Sequence, residues 1–498
     1  MEDVGATVFY DDEDGCLDYE CLHNNVEYDY DYAEANAEKE TLYELYQYCL
    51  TPSLYDTGHY LLPLLGSTLL FRLFVHTPYI SDKIFHILSV VIGIFIIQHY
   101  VQESLIILVV FVLFSYSILC VPKKYIYEWG HGGIRIFLPS LLIIAYCEFL
   151  MQPIIWHKLR SVIMIMAMKA ISIAIDTNSS GSNNLPDIYS YLGYMFCGVT
   201  CLFGPWVSFK DYFLLRCSNN QTYTKWWITC SIGYAFLSFV FLSISNCWTQ
   251  WIFVDNSWKS VSTIFKYVIF LSNVKEILFF SYFRWLMAYR DALSFRTSHF
   301  FISYVASALL VFAGFPLSSS TIVKPLYIEF PRSLVQVVIY WNIPMHYWLK
   351  TYIFRPSIKS LGKFGAVTIT YLISSLLHGL NFQLAAVLLT LGFYTFVEFQ
   401  LRAMLADTFD ACVASKQCAK QKCTHKYNSY NCWWVFMINF AFAGLAMFHL
   451  AYLGLMFDTS DVQETGYSYS HTINKWAELG FASHWVALAT YCIYFLIK

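Results

Sequence analysis

Apolar stretches close to 20 residues long recur along this 498-residue chain, at about 58–76, 84–101, 104–121, 134–155, 188–208, 226–247, 259–283, 299–315, 364–379, 383–404, 432–457 and 482–497. A helix rises about 1.5 Å per residue, so roughly 20 such residues cross the ~30 Å hydrocarbon core of a bilayer. Inside that core every backbone N–H and C=O needs an internal partner, which makes the helix the spanning element for segments of this length. The pattern predicts an all-α polytopic membrane protein with about eleven crossings. Charged residues are only 13% of the chain, half the share of an ordinary soluble domain. No internal repeat is visible, which weakens an inverted-repeat transporter.

Charge divides the chain into two parts. Residues 1–50 hold 15 of the 34 acidic residues and a single Lys, leaving 19 acidic and 30 basic residues in 51–498, a net charge of +11. The start ("YDYDYAEANAEKE") is too polar to insert and lacks the basic-then-apolar layout of a signal peptide, so 1–50 reads as an acidic disordered tail on a membrane domain over 51–498. Two stretches fit neither a clean span nor a loop: 156–175, with Lys169 in an apolar run, and 324–359, rich in Pro, aromatic and basic residues. Both are expected to lie at the interface or re-enter the protein. The fifteen Cys residues lack the even spacing of a disulfide scaffold and read mostly as small core side chains.

Lysines orient the segment of most interest. Lys350, Arg355, Lys359 and Lys363 lie in one loop and Lys416, Lys420, Lys422 and Lys426 in another, so both are expected on the cytosolic side. Residues 364–404 must then cross an even number of times, as a hairpin turning at His378-Gly379-Leu380-Asn381. From 364 to 378 a helix rises only about 21 Å, which leaves His378 deep in the far half of the membrane. An imidazole there must face protein or a water-filled cavity. Taken alone it reads either as a core histidine bridging helices or as a general base. Asn342, in "VVIYWNIPMHYW", is an amide among aromatics two residues before a proline. It reads either as a helix cap or as a donor to a carbonyl oxygen.

Ser-nucleophile elbows, phosphate-binding loops and His-Glu-x-x-His pairs are missing from the sequence. A proton-coupled carrier should show several intramembrane carboxylates facing its His, and only Glu148 and Glu398 are available. Cys412-x5-Cys418-x4-Cys423-x-His425 has ligand-type side chains, but the irregular spacing and missing Cys-x-x-Cys knuckle argue against a metal, and plain or palmitoylated thiols fit as well.

An intramembrane His with an Asn a few tens of residues upstream resembles the pattern of the membrane-bound O-acyltransferase family. The chain is most similar to the branch that acylates secreted Wnt proteins, through "WHK" at 156, "MAMKAISIAID" at 166, "FGPW" at 203, "KPLYIEFPRSLVQVVIYWNIPMHYWL" at 324, "LLHG" at 376, "FHLAYLG" at 448, "NKWAEL" at 474 and "ASHW" at 482. The resemblance runs from about residue 140 to the C-terminus and leaves out the acidic tail. It implies the family fold, an endoplasmic reticulum location, and transfer of a palmitoleoyl group from coenzyme A to a serine on a lumenal Wnt hairpin. Palmitoleoyl-CoA would be a cytosolic co-substrate, with no cofactor and no nucleic-acid partner; a carrier or a non-enzymatic Wnt scaffold are the alternatives. The resemblance places the catalytic roles on His378 and Asn342. Around them, Lys324, Arg332 and Trp341 read as ligands of the acyl donor or as interfacial anchors. Ser374, one turn before His378, reads as lining the acyl pocket.

Overall fold

In a computed structural model the described residues are 41–102, 105–121, 134–179, 185–217, 226–253, 273–379, 381–418, 423–429, 431–457 and 469–498. Most of the acidic tail lies outside them. The helical run begins at Leu42, earlier than the expected boundary at 51, because Thr41 and Glu44 cap each other's backbone amides. In chain order the main helices are α1 (Thr51–His76), α2 (Asp82–Val101), α3 (Leu105–Cys120), α4 (Ile134–Leu150), α5 (Pro153–Ser179), α6 (Ile188–Met195), α7 (Phe209–Cys217), α8 (Trp226–Ser243) and α9 (Asn273–Ala313). Then follow α10 (Leu334–Trp341), α11 (Ile343–Trp348), α12 (Arg355–Leu377), α13 (Phe382–Phe409), α14 (Trp433–Gly454), α15 (Tyr469–Glu478) and α16 (Ala482–Ile497). The chain is a multi-pass membrane protein.

Seven helices among the described residues are long and apolar enough to cross a bilayer, or eight if the bent pair α15–α16 counts as one. That is fewer than the eleven expected, for physical reasons. The run 188–208 is not a crossing: α6 ends at Met195, a short helix Gly198–Cys201 follows, and nearly every side chain there is buried in protein rather than turned to lipid. α3 and α4 are 16 and 17 residues long, short of a full span. The stretch 299–315 is the end of the 41-residue α9, and 259–283 falls largely outside the described residues.

A helix that stops inside an apolar core leaves carbonyls without partners. At the end of α6 they are met by Lys169, which is completely buried. Its Nζ donates to Tyr194 O at 2.8 Å, Met195 O at 3.4 Å and Thr200 Oγ1 at 2.8 Å. The charge that made 156–175 look interfacial is instead the tie between α5 and the broken α6 segment. Cys49 and Cys247 form a disulfide, a departure from the expected set of plain core thiols, and so join the start of the first span to the helical turn that follows α8.

Two apolar cores fill the bundle. The first gathers α1 to α7 together with Met345, Trp348, Ile353, Ile373 and Leu377. The second gathers Phe300 of α9, Leu334 and Val337 of α10, Val387 and Tyr394 of α13, and the ends of α14 and α16. The chain passes from the second core to the first at residue 342 and back again at 378–381. Lys169→Met, which keeps the stem and removes the donors, is expected to cost about 2 kcal/mol through unpaired buried carbonyls. A lower melting temperature of the purified protein in detergent is the measurement.

Candidate active site

His378 and Asn342 stand at those two passages. Asn342 ends α10 with extended backbone (φ −147°, ψ 91°) and caps α11, its Oδ1 accepting from Met345 N at 3.0 Å. Pro344 follows within the first turn, where its missing N–H costs nothing. The capping reading of Asn342 is therefore correct, and it carries a chemical consequence. With Oδ1 held, the planar carboxamide is fixed, and its Nδ2 has no hydrogen-bond partner among the described residues.

Behind Asn342 stands a residue that the sequence reasoning missed. His299 of α9 lies flat on the Trp341 indole, ring centroids 4.3 Å apart and planes 2° from parallel, and its Nε2 donates to Trp341 O at 2.9 Å. Trp341 is thus a wall that fixes the chain one residue before Asn342. The rule that singled out His378, an imidazole within an apolar helix needs a reason, applies equally to His299 in "RTSHFFISYVASALL".

At the other passage the expected hairpin forms. His378 is half-buried and ends α12, its backbone N–H shared between Ser374 O and Ser375 O, and its ring makes no hydrogen bond to a described residue. Gly379 has φ +96°, and Asn381 caps α13 through Oδ1 to the backbone N–H groups of Gln383 and Leu384 at 2.9 and 3.4 Å. The turn packs on Trp156, whose Nε1 donates to Glu148 Oε2 at 2.7 Å, and on Arg160. A side chain at Gly379 would meet the Glu148 carboxylate, so glycine here serves both conformation and space. Ser374 is buried one turn before His378.

The remaining expected residues divide. Lys324 is exposed, its ammonium 5.3 Å from the Tyr340 ring and 5.9 Å from Tyr327, whose rings stack on each other. Arg332, read as a ligand of the acyl donor or an interfacial anchor, turns to a loop of its own chain: its Nη2 donates to Cys412 O at 2.7 Å and its Nε to Ala414 O at 3.1 Å. Glu398 is equally committed, to Leu334 N at 2.8 Å and to Arg402, which removes it as a carrier's proton site. The side chains of Cys412, Cys418, Cys423 and His425 converge, against the expectation drawn from their spacing. A parallel bridge between Ala411 and Tyr427 brings the two ends of that loop together, a contact that spacing alone does not reveal.

Asn342 and His378 are the two flanks of one helical run, Ile343–Leu377. A straight helix of this length would hold its ends about 50 Å apart. The run is not straight, because two helices meet at a kink within it. Gly362 is its one non-helical residue, with φ 66° and ψ −176°, a combination open essentially to glycine alone. The expected basic loop 350–363 is thus helical up to this turn. Lys359 and Lys363 lie on either side of that kink in the chain. Gly362→Ala is expected to cost about 1–3 kcal/mol by forcing a Cβ into that conformation. Gly58→Ala, in open space on α1, is the control and leaves the melting temperature unchanged or raised.

Residues 144–454 match the family described as MBOAT, membrane-bound O-acyltransferase family, a span that contains both Asn342 and His378. The chain is 34% identical over 479 residues to protein-serine O-palmitoleoyltransferase porcupine of Homo sapiens, covering 93% of this chain and 99% of the human protein. The protein of the same name in Anopheles gambiae is 33% identical over 495 residues, covering 90% of this chain and 93% of that one. The mouse protein is 34% identical over 430 residues, 83% of this chain and 88% of its own length. With that family matched over residues 144–454 and relatives at 33–34% identity covering most of the chain, this helical membrane protein belongs to the membrane-bound O-acyltransferase family.

Proposed function

We propose that this protein transfers a palmitoleoyl group from coenzyme A to a serine hydroxyl of a Wnt protein in the endoplasmic reticulum membrane. The observation that carries the reading is that His378 and Asn342, at the two passages between the apolar cores, each keep a polar group without a hydrogen-bond partner among the described residues. The activity named for the human, mosquito and mouse relatives supplies the acyl group and the acceptor atom.

The residues divide the chemistry between them. The serine oxygen attacks the thioester carbonyl carbon while His378 takes the hydroxyl proton. Asn342 Nδ2, oriented by the bond from Met345 N to its own Oδ1, donates to the carbonyl oxygen as that oxygen gains charge. The C–S bond breaks, and the coenzyme A thiolate leaves with the proton that His378 received. A thioester is already activated, so no acyl-enzyme and no cofactor take part. His299 holds the backbone at Trp341 and acts as a positioning residue.

The approach of the substrates follows from charge. Coenzyme A is anionic and, in this reading, docks against the basic stretches of Lys350, Lys359, Lys363 and Lys416 from the cytosol, with exposed Lys324 as a further contact. Its acyl chain enters the apolar seam along α12, past Ser374. The acceptor hairpin, part of a secreted protein, arrives from the lumen. The test is acylation of a Wnt hairpin peptide by purified protein with palmitoleoyl-CoA. His378→Ala is expected to lower the rate by about 100-fold or more, and Asn342→Ala by about 100–1,000-fold. Both variants should keep the wild-type melting temperature within a few degrees. Unchanged rates in both would overturn the assignment.

A further inference from the structure

The loop between α13 and α14 carries a cluster that the transfer chemistry does not use. One ligand atom each from Cys412, Cys418, Cys423 and His425 lies within 4.8 Å of every other. His425 Nδ1 is 3.6 Å from both Cys418 Sγ and Cys423 Sγ. Tetrahedral zinc, with Zn–S bonds of ~2.3 Å and a Zn–N bond of ~2.0–2.1 Å, has edges of about 3.8 Å between sulfurs and about 3.6 Å between sulfur and nitrogen. The two sulfur–nitrogen edges already match, and no pair of donors is more than about 1 Å wider than such an edge.

The surroundings are those of a built site. Cys412 N donates to Tyr427 O at 2.8 Å and Tyr427 N to Asp410 O at 3.1 Å, which sets the first and last ligands side by side. Ala406, Ala411, Val413 and Val435 make a small dry core beneath. Arg332 Nη2 lies 3.9 Å from Cys412 Sγ, and Cys412 O accepts from Arg332 at 2.7 Å and from Asn439 Nδ2 at 3.1 Å. Hydrogen bonds of this kind orient metal ligands, and a nearby guanidinium offsets the net negative charge of three thiolates on a divalent ion. Three soft sulfurs and one imidazole select zinc over magnesium or calcium.

We propose that Cys412, Cys418, Cys423 and His425 form a closed structural Zn2+ site, the three thiols giving up their protons to solvent as the ion binds. With all four positions filled by protein, no place remains for water or substrate, so the ion serves structure. It holds the loop on which Arg332 is anchored. Arg332 in turn precedes α10, and α10 ends at Asn342.

Metal content of the full-length protein, purified from zinc-replete cells without chelator, tests this. About one zinc per chain is expected in the wild type, falling at least fivefold in Cys418→Ser and Cys423→Ser and retained in Cys423→His. Should the serine variants fail to fold, the wild type alone decides. Its cluster thiols should resist maleimide until a strong chelator is added, and exchange with Co2+ should give the visible bands of tetrahedral thiolate ligation. Monodisperse wild type lacking zinc, thiols equally reactive before and after chelation, or an intact mass showing a disulfide or acyl group on these cysteines would overturn it.

Discussion

A helix that stops inside an apolar slab must hand its loose amides and carbonyls to a partner, and this protein stops helices there repeatedly. Each break has its own answer. Lys169 takes the carbonyls after α6, Ser333 and Glu398 take the first amides of α10, Asn342 takes those of α11, and Asn381 those of α13. The two breaks at the passages between the cores leave side chains with spare valence, an amide nitrogen on Asn342 and the ring of His378. The site thus arises from the constraint that the rest of the bundle has to meet.

The same constraint decides what was legible in the sequence. His378 could be found because a titratable ring in an apolar run is costly, and the Gly379 and Asn381 beside it marked the turn. The hairpin followed from the basic stretches on either side. The count of crossings failed where apolar residues face protein: the segment 188–208 is as hydrophobic as a span, but composition does not distinguish a neighbour's side chain from a lipid tail. Arg332 and Lys169 were misjudged for a related reason. A basic residue near an interface looks solvated, while the carbonyls that claim it belong to segments far away in sequence. His299 was within reach of the logic applied to His378, and the cysteine loop was not, since its closure depends on the bridge at Tyr427.

Arg402 shows how much of the support lies far from the chemistry. Fully buried, it donates to Val413 O at 2.8 Å, Arg332 O at 2.7 Å and Asn439 Oδ1 at 2.8 Å, and pairs with Glu398. One guanidinium thus gathers α13, α14, the cysteine loop and the start of α10. The planar fork of arginine suits this role, and a lysine would reach only part of the set.

The kinked run from 343 to 377 has Gly362 as its pivot. The arm that carries His378 is about 24 Å long, so one degree of bending at the pivot moves its tip by roughly 0.4 Å. A misplacement of about 1 Å between reacting groups is enough to cost some two orders of magnitude in rate. Anything that bends the chain at Gly362 therefore acts on His378 with the leverage of that arm.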